Sequence, residues 1–199
     1  MNFAVFVSGN GSNLQAIINA IKAKKIKASL AVVISNKEDA FALERARKAK
    51  IPSLFIDPKK FPDRESFDRA VVMTLKEAGV DFIVLAGFMR ILSPYFIKAY
   101  RHKILNIHPS LLPAFKGAHA IDDAWKAGVS TTGVTVHFVD EEIDHGAIIL
   151  QKEVTIKPKD TLAKLEARIH KVEHGLYPKV IDLFARGRIK LHRGKVTVR

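Results

Sequence analysis

Cysteine is absent from the 199 residues. That absence excludes disulfides, thiolate metal sites, thiol nucleophiles and cysteine-held iron–sulfur clusters. Long apolar runs are missing too. Those present are short, such as Phe82 to Ala86, against the roughly 20 residues that span a bilayer. Met1 leads directly into NFAVFVSGNGSNL, with no basic leader and no small-residue cleavage site. No export signal is therefore read there, and the expected compartment is cytoplasmic, without membrane association. Repeats, low-complexity stretches and linkers are not found. No histidine spacing resembles a zinc helix motif, so no metal is expected. A Gly-x-Ser-x-Gly nucleophile elbow is also lacking.

What remains is ordinary in bulk and unusual in charge. Apolar residues make up 48% and charged residues 27%, as in globular proteins generally. The length allows a real core and favours one domain over residues 1–199. The net charge is +13. Such an excess suits nucleic acid, an anionic surface or anionic small substrates. The basic residues are scattered, with modest clusters at Lys22 to Lys27 and Arg186 to Arg199. There is no arginine-rich tail and no aromatic-basic alternation like a single-strand binding face. Small anionic substrates are the expected partners, and nucleic acid is not.

Buried runs alternate with amphipathic segments. Strands are predicted at Phe3 to Val7, Leu30 to Ile34, Ser53 to Ile56 and Asp81 to Ala86. Helices are predicted at Asn13 to Ala23, Phe41 to Ala49 and Arg64 to Ala78. In the last of these, Phe67, Val71, Leu75 and Ala78 recur at helical spacing, and Gly79 supplies a left-handed cap. Strands continue at Ile104 to His108, Thr132 to Val139 and Ala147 to Ile156, with a helix near Ile121 to Ala127. A long helix from Thr161 to about Ala185 is capped by Asp160 and interrupted by Pro178, with a kink or break expected near Tyr177. A small hairpin around Arg193-Gly194 closes the chain. The expected fold is α/β: a mostly parallel twisted sheet with helices on both faces and an antiparallel element late in the chain.

Ser8-Gly9-Asn10-Gly11-Ser12-Asn13 falls between the first strand and the first helix. An open α/β sheet binds phosphate at that position, because glycines admit the anion and the helix start presents free N–H groups. A tight turn with Ser12 or Asn13 as helix cap is the alternative. A dinucleotide fingerprint is disfavoured: Leu14 occupies the third glycine position, and the second strand ends in Ser35-Asn36-Lys37. A single ribose-linked phosphate suits the loop better.

Asn106 and His108 lie two apart on one predicted strand and so share a face. An amide N–H donor beside a proton-carrying imidazole is a workable acid–base pair. Asp144 lies in the polar loop from Asp140 to Gly146. A carboxylate brought beside an imidazole favours its charged form. Nothing local in the sequence brings Asp144 to His108. Of the other histidines, His102, His174 and His192 read as surface residues, and His137 as either a support for the site or a structural residue.

Asn106-Ile107-His108-Pro109-Ser110-Leu111-Leu112-Pro113, followed by Gly117, resembles the signature of folate-dependent formyltransferases. The glycine loop and Leu85-Ala86-Gly87-Phe88-Met89-Arg90-Ile91-Leu92 narrow the resemblance to the phosphoribosylglycinamide formyltransferase family. It covers residue 1 to about Ile189, with the motifs in the family's order; the basic tail has no counterpart. The resemblance implies a Rossmann-like formyltransferase fold, ribotide phosphate binding in the N-terminal half, and folate binding and catalysis in the C-terminal half. Gly11, Ser12 and Asn13 would hold the phosphate of phosphoribosylglycinamide, with Glu173 and His170 also on that substrate. Arg64 and Met89, Arg90, Ile91 and Leu92, together with Asn106, would bind the co-substrate 10-formyltetrahydrofolate. Asn106, His108 and Asp144 would be catalytic. His145 stands where the family pattern has glycine or serine, which leaves that loop's shape open. The implied reaction is direct formyl transfer to an amine, in purine biosynthesis. Rival readings are a formyltetrahydrofolate hydrolase, expected to carry a further N-terminal domain, another folate-dependent formyltransferase, and a basic nucleic-acid-binding module.

Overall fold

The computed structural model describes residues 1–192 and 194–199. Strands β1 (Asn2–Val7), β2 (Ser29–Ser35), β3 (Ser53–Phe55), β4 (Phe82–Leu85) and β5 (Ile104–His108) run parallel. Strands β6 (Thr131–Phe138) and β7 (Ile148–Thr155) continue the same sheet antiparallel. The order is β3-β2-β1-β4-β5-β6-β7. Strands β8 (Ile189–His192) and β9 (Lys195–Val198) form a separate antiparallel pair. The expected turn residue between them, Arg193, lies outside the described residues.

Strand alternation builds two cores. Phe3, Val5 and Val7 of β1 enter one cluster, whereas Ala4 and Phe6 enter the other. Every one of these is buried, as expected of a central parallel strand with both faces covered. Helices α1 (Ser12–Lys22) and α6 (Leu162–Ala185) cover the first face. Helices α3 (Arg64–Glu77) and α4 (Pro94–Ala99) cover the second. Helices α2 (Phe41–Lys48) and α5 (Ala120–Lys126) complete the set. Gly79, at φ 62°, ends α3 as expected: the Val80 N–H returns to the Leu75 carbonyl. Among the described residues no helix is long and apolar enough to cross a membrane.

Two local expectations are corrected, and one helix was not foreseen. Helix α6 runs unbroken through Pro178. Proline removes one backbone bond and crowds the preceding turn, at a cost of about 3 kcal/mol. Buried Leu176, Tyr177, Val180 and Ile181 on either side of it hold the helix in place. Its cap is Thr161, whose hydroxyl accepts the Lys164 N–H, and not Asp160. Asp160 instead takes two bonds from Arg168 and one from the Lys157 N–H. Helix α4 was not legible as a helix, because six residues starting at a proline carry no periodicity; Ser93 caps it at the Phe96 N–H.

Parallel strands bring the glycine loop after β1, the segment after β4 and the end of β5 to one edge of the sheet. That common edge follows from chain direction and requires no special contact.

Candidate active site

On β5, Leu105 and Ile107 point into the α1/α6 core, while Ile104 joins the opposite one. Asn106 and His108 therefore share the α3/α4 side of the sheet. The antiparallel register sets His137 of β6 opposite Asn106, and Thr135 opposite His108. Cross-strand partners of this kind share a face at side-chain contact distance. Asn106 Nδ2 lies 3.1 Å from His137 Nε2. The His137 Nδ1 atom is 2.7 Å from the Phe138 carbonyl oxygen and donates there. His137 is thus a buried support of the site.

Asp144 reaches this pair from the loop between β6 and β7. It adopts φ 49°, and Gly146 lets the chain fold back on the sheet: a side chain there would meet the Phe138 carbonyl oxygen at 1.9 Å. One carboxylate oxygen lies 3.4 Å from His108 Nδ1 and accepts the Gly117 N–H at 2.9 Å. The other lies 3.5 Å from Asn106 Nδ2 and 3.7 Å from His137 Nε2. Burial pushes the Asp144 carboxyl upward, but the contact with His137, the Gly117 N–H and the charge of His108 outweigh it and hold the group at about 2. Asp144 is an anion throughout the neutral range.

The His108 Nε2–H points at the Phe115 carbonyl oxygen, 2.8 Å away. Acceptors thus face both ring nitrogens, and only the doubly protonated ring satisfies both. Phe115 is marked by no local pattern, and Gly117 only as the last residue of the signature segment; both reach the site because the loop after Pro109 folds back, with Phe115 and Gly117 at positive φ.

Beside this group lies a cleft of about 440 Å³ lined by Met89, Arg90, Ile91, Leu92, Asn106 and Asp144 among others. Met89, Ile91 and Ile143 are large apolar side chains exposed at its walls, a surface suited to a flat, partly apolar ligand. The Arg90 guanidinium lies over the Phe67 ring, 4.6 Å from its centre. Arg64 is exposed at the start of α3 and does not line the cleft. Both arginines act on Asp68, a buried carboxylate that accepts the Ser93 N–H and that burial pushes upward. His145 pairs with Asp140 at 2.9 Å.

At the glycine loop, α1 starts after Gly11 at φ 75°, with no side chain capping it. The cap alternative for Ser12 or Asn13 is thereby removed. Asn13 Nδ2 instead donates to Glu173 Oε2 at 3.0 Å, and His170 Nδ1 lies 2.9 Å from the same oxygen. That bond raises the His170 pKa against the opposing effect of burial. Glu173 is 4% exposed, so α6 presents a buried carboxylate to the loop. The Asn13 side-chain oxygen, Oδ1, is buried without a partner among the described residues. His174, read as a surface residue, is half-buried behind Glu173, and burial lowers its pKa. Among the described residues no group of three or more acidic or histidine side chains is placed to hold a metal ion.

The chain resembles known proteins in sequence and in backbone path. The family model "Formyl transferase" matches residues 1–181. The phosphoribosylglycinamide formyltransferase of Escherichia coli (strain K12) is 48% identical over 192 residues, covering 96% of this chain and 91% of the relative. A trifunctional purine biosynthetic protein adenosine-3 of Drosophila pseudoobscura pseudoobscura is 50% identical over 94% of this chain, which spans only 14% of that longer protein. The crystal structure of glycinamide ribonucleotide transformylase 1 from Symbiobacterium toebii superposes with a TM-score of 0.97 at 44% identity, covering 100% of this chain and 93% of the other. With nearly its whole length matched in sequence and in backbone path, the chain belongs to the formyl transferase family.

Proposed function

We propose that the chain transfers the formyl group of 10-formyltetrahydrofolate to the amino group of 5-phosphoribosylglycinamide, giving the N-formyl ribotide and tetrahydrofolate in de novo purine biosynthesis. The observation that carries this reading is the convergence of Asn106, His108 and Asp144 beside an apolar-walled cleft, on the sheet edge that also bears the glycine loop. Near-full-length similarity to proteins named for this reaction supports it.

In this reading the amine nitrogen attacks the formyl carbon, and the carbonyl π electrons move onto oxygen. Asn106 and the His108 imidazolium stabilise that oxyanion, usually the largest contribution in acyl transfer. The oxyanion takes the place of the Phe115 carbonyl oxygen at His108 Nε2 and of the long Asp144 contact at Asn106 Nδ2. Asp144 keeps His108 charged and oriented. A proton leaves the amine, the folate C–N bond breaks as the carbonyl re-forms, and the folate nitrogen takes up a proton. No covalent enzyme intermediate is required.

Gly11, Ser12 and Asn13 would cradle the ribotide phosphate, with Glu173 and His170 on the ribotide. The segment Met89 to Leu92, with Asn106, would hold the folate in the cleft, and Arg64, outside the cleft lining, would meet only a part of the folate that projects beyond it. The roles divide within one domain, residues 1–199, with phosphate binding in the N-terminal half and catalysis in the C-terminal half. A cytoplasmic location and small-molecule partners accompany this reading.

The test is formyl loss from 10-formyltetrahydrofolate with and without the ribotide. Turnover should depend strongly on the ribotide, since the site gains its rate by placing the amine at the formyl carbon. Equally fast loss without it would identify a hydrolase.

A further inference from the structure

Ser8 follows β1 directly and is assigned to neither substrate, yet three contacts meet on it. Its N–H donates to the Gly87 carbonyl at 3.0 Å. Its hydroxyl donates to Asn36 Oδ1 at 2.6 Å and accepts the Met89 N–H at 2.8 Å. Asn36, at the end of β2, is 9% exposed. A serine hydroxyl has one proton. Because Asn36 takes it, a lone pair is left for Met89, and the chain Met89 N–H to Ser8 O–H to Asn36 oxygen runs in one direction, so each bond polarises the next.

Ser8 thus joins two segments with separate tasks. One residue on, the chain enters the loop proposed for the ribotide phosphate; Gly9 accepts the Ala42 N–H there. On the other side, Met89 opens the segment proposed for the folate, 81 positions away in sequence. The Met89 N–H is committed to Ser8, so this part of the folate segment is fixed by the protein. Among the described residues no other side-chain hydrogen bond ties the start of one loop to the start of the other.

We propose that Ser8 is a positioning residue: its hydroxyl fixes the separation between the ribotide loop and the folate segment, and so the approach of amine to formyl carbon. The inference rests on the reading of the two sites given above. Reactions between bound partners are sensitive to such spacing, and a misplacement of about 1 Å costs on the order of 100-fold in rate.

The experiment compares Ser8→Ala, Ser8→Thr and Asn36→Ala in the full chain. It measures the Kd of each substrate alone and kcat with both saturating. Ser8→Ala keeps the backbone bond to Gly87 and loses both hydroxyl bonds. Its two binary Kd values should stay within about threefold, while kcat falls about 10- to 100-fold. Ser8→Thr should recover most of the rate, and Asn36→Ala, which leaves the hydroxyl without its acceptor, should fall between. Should Ser8→Ala not fold, Asn36→Ala and Ser8→Thr carry the test. A lower melting temperature with unchanged kcat would make Ser8 merely structural, and so would a loss confined to one substrate's Kd. Wild-type protein without ribotide-dependent transfer would instead overturn the assigned reaction, whatever the variants do.

Discussion

Asp144 concentrates more of the site in one side chain than any other residue: two histidines, one amide and one backbone N–H converge on its carboxylate. Asp144→Asn removes the countercharge of His108 at nearly constant volume. Turnover should fall by about two to four orders of magnitude, as when a group stabilising an oxyanion is removed. Both KM values should move far less, because the lost interaction strengthens only as the oxyanion forms. Steady-state kinetics decide this, and near-normal kcat would leave Asp144 a bystander. The same residue ties stability to acid. Its carboxyl is held at about 2 against an ordinary 3.8. A depressed carboxyl stabilises the fold above its unfolded pKa and loses that contribution as pH falls through its folded pKa. The contribution, on the order of 2 kcal/mol, should be present above about pH 4 and vanish towards pH 2. Denaturant unfolding across that range should be flatter for Asp144→Asn than for wild type. Of this site, Asn106 and His108 were legible as a same-face pair from their spacing of two. The Asp144 contacts were not, since they depend on a loop reversal that only Gly146 and the Phe138 carbonyl make tight.

The glycine loop and α1 form the element on which ribotide binding is proposed to depend. Gly11 adopts φ 75°, and a Cβ there would lie 2.6 Å from the Ala42 side chain and 2.9 Å from its Cα. Gly11→Ala should therefore lower the thermal midpoint as well as raise the ribotide KM, with the folate KM rising less. Left-handed strain and the steric conflict together should cost about 2 kcal/mol or more. Equal rises in the two KM values would contradict the assignment of the loop. The alternation of strands and helices made this element visible in the sequence, but its neighbours α2 and α6 gave no sign of meeting it. Helix α6 supplies a further example. Its apolar stripe was readable, yet Tyr177 donates its hydroxyl towards the carbonyls of both Leu85 and Leu105, pinning α6 beneath β4 and β5 at the site. Sequence spacing cannot specify a bond across 72 or 92 positions.

For the whole molecule, the net charge of +13 acts at long range on two anionic substrates. Steering of this kind raises encounter rates and is screened by salt. Raising ionic strength from about 0.01 M to about 0.3 M shortens the screening length severalfold. The ribotide kcat/KM should fall severalfold over that range while kcat holds. An unchanged kcat/KM would make the charge irrelevant to capture.

The sequence by itself determined the α/β class, the mostly parallel character of the sheet and the identity of the chemical groups. These follow from local periodicity, from glycines at turns and from side-chain types present or absent. It also placed Asn106 and His108 on one face, because a strand repeats every two residues. Tertiary structure alone decided that α6 continues through Pro178, because burial on both sides of the proline opposes a break. It alone set His137 opposite Asn106, turned Phe115 onto His108, and tied Ser8 to Met89 across the sheet edge. Each of these depends on register or loop closure between distant segments, and such contacts form only once the sheet has fixed which strand ends lie side by side.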